Sequence, residues 1–375
     1  MLKKIFIISS VLLITVLVFF GIYMLAFKKT DNIQTKKINK KNIVDVAKIA
    51  SKKITNITSD SVVSATLGPN GDTLRYCDAV DGRVWTMTLR GTNKEVLFKK
   101  TKGVPNKFRW STDGNQAIAS YDDGKIFVYN YTTGVDIKLR DGMDDVVWAG
   151  NSGRILYKYY DKKTKERSLN IANADGTNWK KLADLPFRYT TFTQIPSSIL
   201  ASFWPTEDAN VQTALFTTST IHESIPKQIF SQKYGADFLF SSTGKKVLVS
   251  SVAKGGKQPT LAIMDNDGQN YNDLLIPTIV KKTVWSQDGK TVYYAQPNNV
   301  PSDVVWPNDY NDRKFIVQEQ DTFYKLDIET GKKERIVELN DINEKIDAVD
   351  LFLDKSESVL FFVNRTNGLL YRISL

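Results

Sequence analysis

The chain is poor in the two residues that carry most disulfide and metal chemistry. Its 375 residues include one cysteine, Cys77, and one histidine, His222. A single cysteine excludes an internal disulfide, so cysteine usage leaves the redox compartment open. A single histidine excludes a multi-histidine zinc site within the chain, and no metal or cofactor is expected. His222 reads as a solvated loop residue, because a general base needs a nucleophile and an orienting carboxylate in reach. No Gly-x-Ser-x-Gly elbow, P-loop or dinucleotide-binding glycine motif occurs, and no catalytic residue is assigned. Past residue 60 no long segment has a helical period, which excludes a helical bundle.

The sequence does contain one long uncharged run. Lys3 and Lys4 precede Ile5 to Phe27, 23 residues without a charged side chain, and Lys28 and Lys29 follow. As a helix this run would be roughly 35 Å long, enough to cross a hydrocarbon core of about 30 Å. It is too long for the hydrophobic region of a cleaved signal, and no small-x-small site follows it. The expectation is a short basic N-terminus (1–4), a transmembrane helix (5–27), a Lys-rich juxtamembrane linker (28–51) and one domain over 52–375. A short basic end before a long apolar segment suits a signal anchor with the domain outside the cell membrane, although the lysines after the run, read literally, would hold it in the cytoplasm.

The formal net charge is +10, but it is unevenly placed. Residues 1–60 contain eleven Lys and three Asp; the remainder holds 40 basic and 38 acidic residues. The basic excess therefore sits beside the apolar run, where it suits anionic lipid headgroups. A nucleic-acid partner is not expected, since that would need a basic face on the domain itself.

From residue 60 onward, short runs rich in Val, Ile, Tyr, Phe and Trp alternate with Gly, Asp and Asn turns, the pattern of an all-β domain. One motif recurs: an aromatic or Leu, then a tight turn, then an apolar run. Its copies are Leu67-Gly-Pro-Asn-Gly71, Trp110-Ser-Thr-Asp113-Gly114, Trp148-Ala-Gly-Asn-Ser-Gly153, Phe192-Thr-Gln-Ile-Pro196, Phe240-Ser-Ser-Thr-Gly244, Trp285-Ser-Gln-Asp288-Gly289 and Phe352-Leu-Asp-Lys-Ser356. Turn residues are spaced by 43, 39, 43, 48, 45 and 67. A period near 40–45 built from four short strands is that of a propeller blade. Asp-Gly and Asn-Gly supply the tight turn, because Gly accepts positive φ and Asp or Asn tolerates it. Gly71, Asp113, Gly114, Gly153, Gly244, Asp288 and Gly289 are thus assigned to blade turns. Asp265-Asn-Asp267-Gly268 resembles the start of a calcium loop but lacks the distal Glu.

These repeats resemble the TolB-like and WD-type β-propeller repeats over about residues 60–375. The resemblance implies a seven-bladed β-propeller of four-stranded blades and says little about function. The seventh copy ends at Leu375 after three strands, so Lys53 to Thr58 is expected to supply the missing outer strand and remove the exposed edges.

Two insertions break the regular spacing. Residues 297–314 read PNNVPSDVVWPNDYNDRK, and residues 203–210 read FWPTEDAN. Both join second to third strands, on one face beside the central opening. Trp204, Glu207, Asp208, Trp306, Asp309 and Tyr310 are the candidate binding residues, since aromatics anchor interfaces and loops carry function. The alternative is an insertion folded over its own blade with Trp306 and Pro307 inward. The functional expectation is a monomeric, membrane-anchored, non-catalytic module that binds or scaffolds a protein, a peptide or an envelope glycan. The competing classes are a glycan lyase or hydrolase using channel carboxylates and tyrosines, and a purely structural surface domain.

Overall fold

The computed structural model describes residues 53–98, 102–151, 153–314, 320–342 and 344–375. The expected transmembrane helix and linker lie outside these residues. Among the described residues no helix is long and apolar enough to cross a membrane. They belong to one compact unit, Lys52–Leu375.

The recurring Ser-x-Asp-Gly motif is a self-contained turn. Ser111 Oγ donates to Asp113 Oδ1 at 2.6 Å and accepts from Gln116 N at 2.9 Å. Ser286 does the same with Asp288 and Thr291, at 2.6 and 2.9 Å. Asp113 and Asp288 then accept the backbone N–H two residues on, each at 3.0 Å. The polar side chains therefore satisfy the backbone groups that the tight turn leaves over. Gly114 and Gly244 have φ of +67° and +69°, and a Cβ there would run into the carbonyl oxygens of Leu67 and Pro196, which belong to the preceding turn. The glycines are thus needed both for backbone conformation and for close stacking of neighbouring turns.

All seven motif copies close with the same backbone bond, exemplified by Gly68 N to Thr73 O, Ser111 N to Gln116 O and Ile195 N to Leu200 O. The degenerate fourth copy makes the turn without glycine, by putting Ser197 at φ +53°. In the seventh copy the left-handed residue is Glu357, at φ +54°, one place after the expected Ser356. By the closing bond, the fourth copy starts at Gln194, two residues after the expected Phe192, and the seventh at Leu353, one after Phe352, because a turn lacking Gly carries no sequence marker for the left-handed position.

The strands form five four-stranded antiparallel sheets and one seven-stranded sheet. Within the seven-stranded sheet, the 14-residue strand Lys227–Phe240 pairs with Gln212–Ser219 on one side and Lys246–Ala253 on the other. It does so through different parts of its length, with irregular register on both sides. The long sheet is therefore two groups of strands joined by one continuous strand.

The core lies between successive groups rather than at one centre. Cys77 and Val84 pack with Phe108 and Ala117. Ile118 and Val128 pack with Val146 and Ile155. The series continues through Leu169 with Phe203, Trp204 with Phe238, Leu248 with Tyr294, and Phe323 with Phe362. It returns to the start where Phe361 and Leu370 pack with Leu74 and Tyr76. Three motif tryptophans also reach back to the preceding first strand. Trp110, Trp148 and Trp285 donate their indole N–H to the carbonyls of Ser64, Arg109 and Leu239, at 3.4, 2.9 and 3.2 Å. A flat ring buries its large apolar area between sheets while its one donor is satisfied.

The circle is closed by the segment expected to do so. Ile54–Asn56 pairs antiparallel with Leu370–Ser374, with Ile54 opposite Ile373 and Asn56 opposite Tyr371. Ile57 N donates to Leu370 O at 2.8 Å, and Leu370 N to Thr58 Oγ1 at 2.9 Å. Ile54 is buried with Leu360 and Ile373. Only one four-residue helix, Asn308–Asn311, and two 3-10 turns interrupt the β structure of the described residues.

Two outcomes follow. Deleting residues 50–60 exposes the edge of Leu370–Ser374 and should lower Tm by roughly 5 °C or more in a circular-dichroism melt; an unchanged curve would show that the strand does not close the ring. Ser197→Gly should raise stability by about 0.5–1 kcal/mol in urea titration, because Ser197 is exposed and held at positive φ.

Candidate functional site

The two insertions meet each other. Ala209 N donates to Asn308 Oδ1 at 2.8 Å, and Asn311 Nδ2 donates to Glu207 Oε1 at 2.9 Å. Lys281 pairs with Glu207 and reaches Asn311 Oδ1 at 2.7 Å. The sequence placed both loops on one face; the structure adds that they form one polar junction, held by a lysine from a third segment.

Their aromatics point inward. Trp204, Trp306 and Tyr310 are each 2% exposed. Trp204 packs edge-on against Phe238 and donates Nε1 to Asp237 Oδ1 at 3.0 Å. Trp306 stacks on Tyr310, with ring centroids 5.0 Å apart, in a cluster with Val252, Ile279 and Val304. A partner cannot touch these rings while the loop keeps this packing. Asp208 accepts from Asn210 N at 2.8 Å, and Asp309 from Val305 N at 2.8 Å, so both fold their own loops. Of the six candidates, Glu207 lines the charged cavity described below, and Trp204 lines a smaller, mostly apolar one of about 400 Å³ beside it.

Tyr310 is held by a buried ionic cluster. Lys282 Nζ lies 2.6 Å from both Asp321 Oδ2 and Asp347 Oδ1, and all three side chains are fully buried. Tyr310 Oη donates to Asp347 Oδ1 at 2.8 Å, and the Arg365 guanidinium lies 3.8 Å from the Tyr310 ring centre. Burial pushes the Asp321 carboxyl up to about 6, against the pull of the Lys282 charge. Lys282 stays charged, since the two carboxylates outweigh its burial and raise its pKa. With no access to solvent, this cluster positions the insertion and cannot meet a substrate.

The first strands of successive sheets line a cavity of about 770 Å³. Lys107 and Arg109 come from Lys107–Trp110, Asp144 and Asp145 from Met143–Trp148, and Asp237 from Lys227–Phe240. Lys281 sits in the 3-10 turn Val280–Lys282, and Lys158 in Arg154–Tyr160. Asp145 accepts from Arg109 at 2.8 Å and Lys107 at 3.1 Å. Burial pushes its carboxyl up, but those two cations more than offset this and hold it below the ordinary range. Asp144 pairs with Lys158 at 3.6 Å. Asp237 behaves oppositely: burial, reinforced by the nearby Glu207 charge, raises it well above the ordinary carboxylate range despite Lys281. The cavity thus holds two carboxyls shifted in opposite directions, Asp237 upward by burial and Asp145 downward by its cations.

The cavity residues were missed in the sequence because most are charges on strands that otherwise read as apolar. A signal was present: Arg109, Asp145, Asp237 and Lys281 all lie one to four places before a motif aromatic. His222 is exposed, with Nδ1 3.4 Å from Ser219 Oγ, and takes no part in the cavity. Among the described residues no group of three or more His, Cys, Asp or Glu side chains could hold a metal ion.

Neither a protein-family model nor a curated protein matches this chain. Solved structures do. An oligogalacturonate lyase in complex with manganese is 11% identical with a TM-score of 0.61, covering 86% of this chain and 93% of that one. The β-propeller domain of Myceliophteria thermophila Cps50 (Swd1) is 13% identical with a TM-score of 0.56, covering 86% and 99%. The β-propeller domain of the trilobed protease from Pyrococcus furiosus, described as having an open velcro topology, is 12% identical with a TM-score of 0.55, covering 84% and 95%. At such identities the likeness shows the fold alone: the domain is a β-propeller, and here Ile54–Asn56 pairs with the last strand.

Asp237 makes a pH test. In the window from about pH 4 up to its raised pKa, the folded state keeps a proton that the unfolded state has lost, so stability falls as pH rises through that window. Asp321 adds to the same slope. Asp237→Asn should remove the Asp237 share, raising Tm relative to wild type near neutral pH and not at about pH 4, with the two melts compared at each pH.

Proposed function

We propose that this protein is a non-catalytic binding module, a seven-bladed propeller on a single-pass anchor, whose ligand enters the charged cavity beside the joined insertions. Counting Lys227–Phe240 as the outer strand of one blade and the inner strand of the next gives seven four-stranded blades. The seven apolar interfaces that run round to the first blade support that count. The anchor rests on the uncharged run of residues 5–27, and with it a monomeric propeller on the outer side of a cell membrane.

The observation that carries the binding reading is the junction of Glu207, Lys281 and Asn311 at the wall of the cavity. It fixes two long loops against each other, and rigid loops on a scaffold are where propellers and other β folds place ligand contacts. A membrane protein, an envelope peptide or a glycan would be bound without being changed. The alternative is an enzyme of the lyase or hydrolase type. A metal-assisted version does not fit the donor set, since no three ligating side chains converge among the described residues.

The test uses the full chain in lipid nanodiscs against arrays of envelope glycans and peptides, with the recovered ligand analysed by mass spectrometry. Binding with intact ligand, weakened roughly tenfold by Lys281→Met, is expected; because that change leaves the Glu207 carboxylate to Asn311 alone and lowers Tm, the affinities are compared well below the Tm of both forms. Cleaved ligand would replace this reading with the enzymatic one.

A further inference from the structure

Two cations of the cavity have no counter-charge among the described residues. Lys107, Arg109, Lys158 and Lys281 are each paired with Asp144, Asp145 or Glu207. Arg167 and Arg188 also line the cavity, and neither takes part in an ion pair among the described residues. Arg167 Nε is buried with no hydrogen-bond partner. Its guanidinium lies 4.5 Å from the centre of the Tyr160 ring, and that of Arg188 lies 5.2 Å from the centre of the Tyr189 ring. Lys158 Nζ donates to Arg188 O at 3.1 Å, tying the Arg188 segment to the cavity wall. Tyr189 is 66% exposed, so its side chain is open to a ligand.

A buried donor without an acceptor is costly, and a guanidinium fork is shaped for a carboxylate or a phosphate. Two forks, each beside a tyrosine face, provide charge recognition and a flat stacking surface together. We propose that the Arg167–Arg188 corner, with Tyr160 and Tyr189, binds the acidic groups of an anionic glycan chain. This deepens the binding reading above and rests on it. A glycan is favoured over an acidic peptide by the cavity's own lining of charges, hydroxyls and tyrosine faces, which pair with acidic groups and hydroxyls and offer flat surfaces to sugar rings. The acidic group can be a sugar carboxylate or a backbone phosphate, which present the same acceptor geometry.

The experiment measures binding of four probes to the full chain in nanodiscs by calorimetry. They are a uronate oligosaccharide, its methyl-esterified form, an oligosaccharide with phosphodiester links between its sugars and an oligoglutamate peptide. The expected result is that the uronate or the phosphodiester-linked oligosaccharide binds, and that affinity falls with added salt. For the uronate the esterified control should bind roughly tenfold or more weakly, and Arg167→Gln with Arg188→Gln should weaken the bound probe by a similar factor at unchanged Tm. Which of the two anionic oligomers binds identifies the carboxylate or the phosphate source. Equal binding of the esterified form, unaffected by the double variant but weakened by Lys281→Met, overturns the anionic corner while leaving the binding module standing. Binding of oligoglutamate alone overturns the glycan assignment. Failure of all four probes at about 1 mM overturns the inference outright.

Discussion

Everything in this domain depends on a circle that must be closed. Each sheet buries its two faces against its neighbours, so a first and a last sheet would each leave one face and one strand edge in water. Ile54–Asn56 solves the edge by joining Leu370–Ser374, and the Phe361–Tyr76 cluster solves the face. The residues that open the described chain and those that end it thus share one sheet. Local turns and strands can form anywhere along the chain, but the stable core exists only once these distant segments meet.

The turns show how a short motif serves that closure. The Ser hydroxyl and Asp carboxylate satisfy the turn internally, which frees Gly to let the neighbouring turn approach. The aromatic ahead of the turn spans the gap and donates to the preceding strand. Satisfying a buried indole N–H on a neighbouring strand sets how far apart two sheets can sit. Where the motif decays, as at Ser197 and Glu357, the backbone still adopts the left-handed conformation; tertiary packing imposes what the local sequence no longer favours.

Charge is used in two ways within a short distance. Lys281 and Lys282 are consecutive, yet Lys282 is fully buried between two carboxylates while Lys281 faces Glu207 at the cavity wall. The buried cluster holds the Trp306–Tyr310 insertion in place, and the exposed junction shapes the cavity beside it. Breaking a buried ion pair strands a charge, so the insertion and the last two sheets are tied to one geometry. The cavity wall inherits that rigidity, and with it two carboxyls shifted in opposite directions, Asp237 up by burial and Asp145 down by its two cations.

The sequence by itself determined the β class, the repeat period, the five glycine-bearing turns and the closing strand, because each rests on local chemistry: positive φ at Gly, alternation of apolar residues, and an incomplete final repeat. It also indicated that the two Trp-Pro insertions share a face. Only the tertiary structure decided what those insertions do. Trp204, Trp306 and Tyr310 look like surface anchors by residue type, and they are interior because the buried Lys282 cluster and the Asp237 acceptor draw them in. The cavity was illegible for the same reason. Its lining charges come in ones and twos from strands and loops spread between residues 107 and 281, and such scattered charges carry meaning only when the ring brings them to one wall.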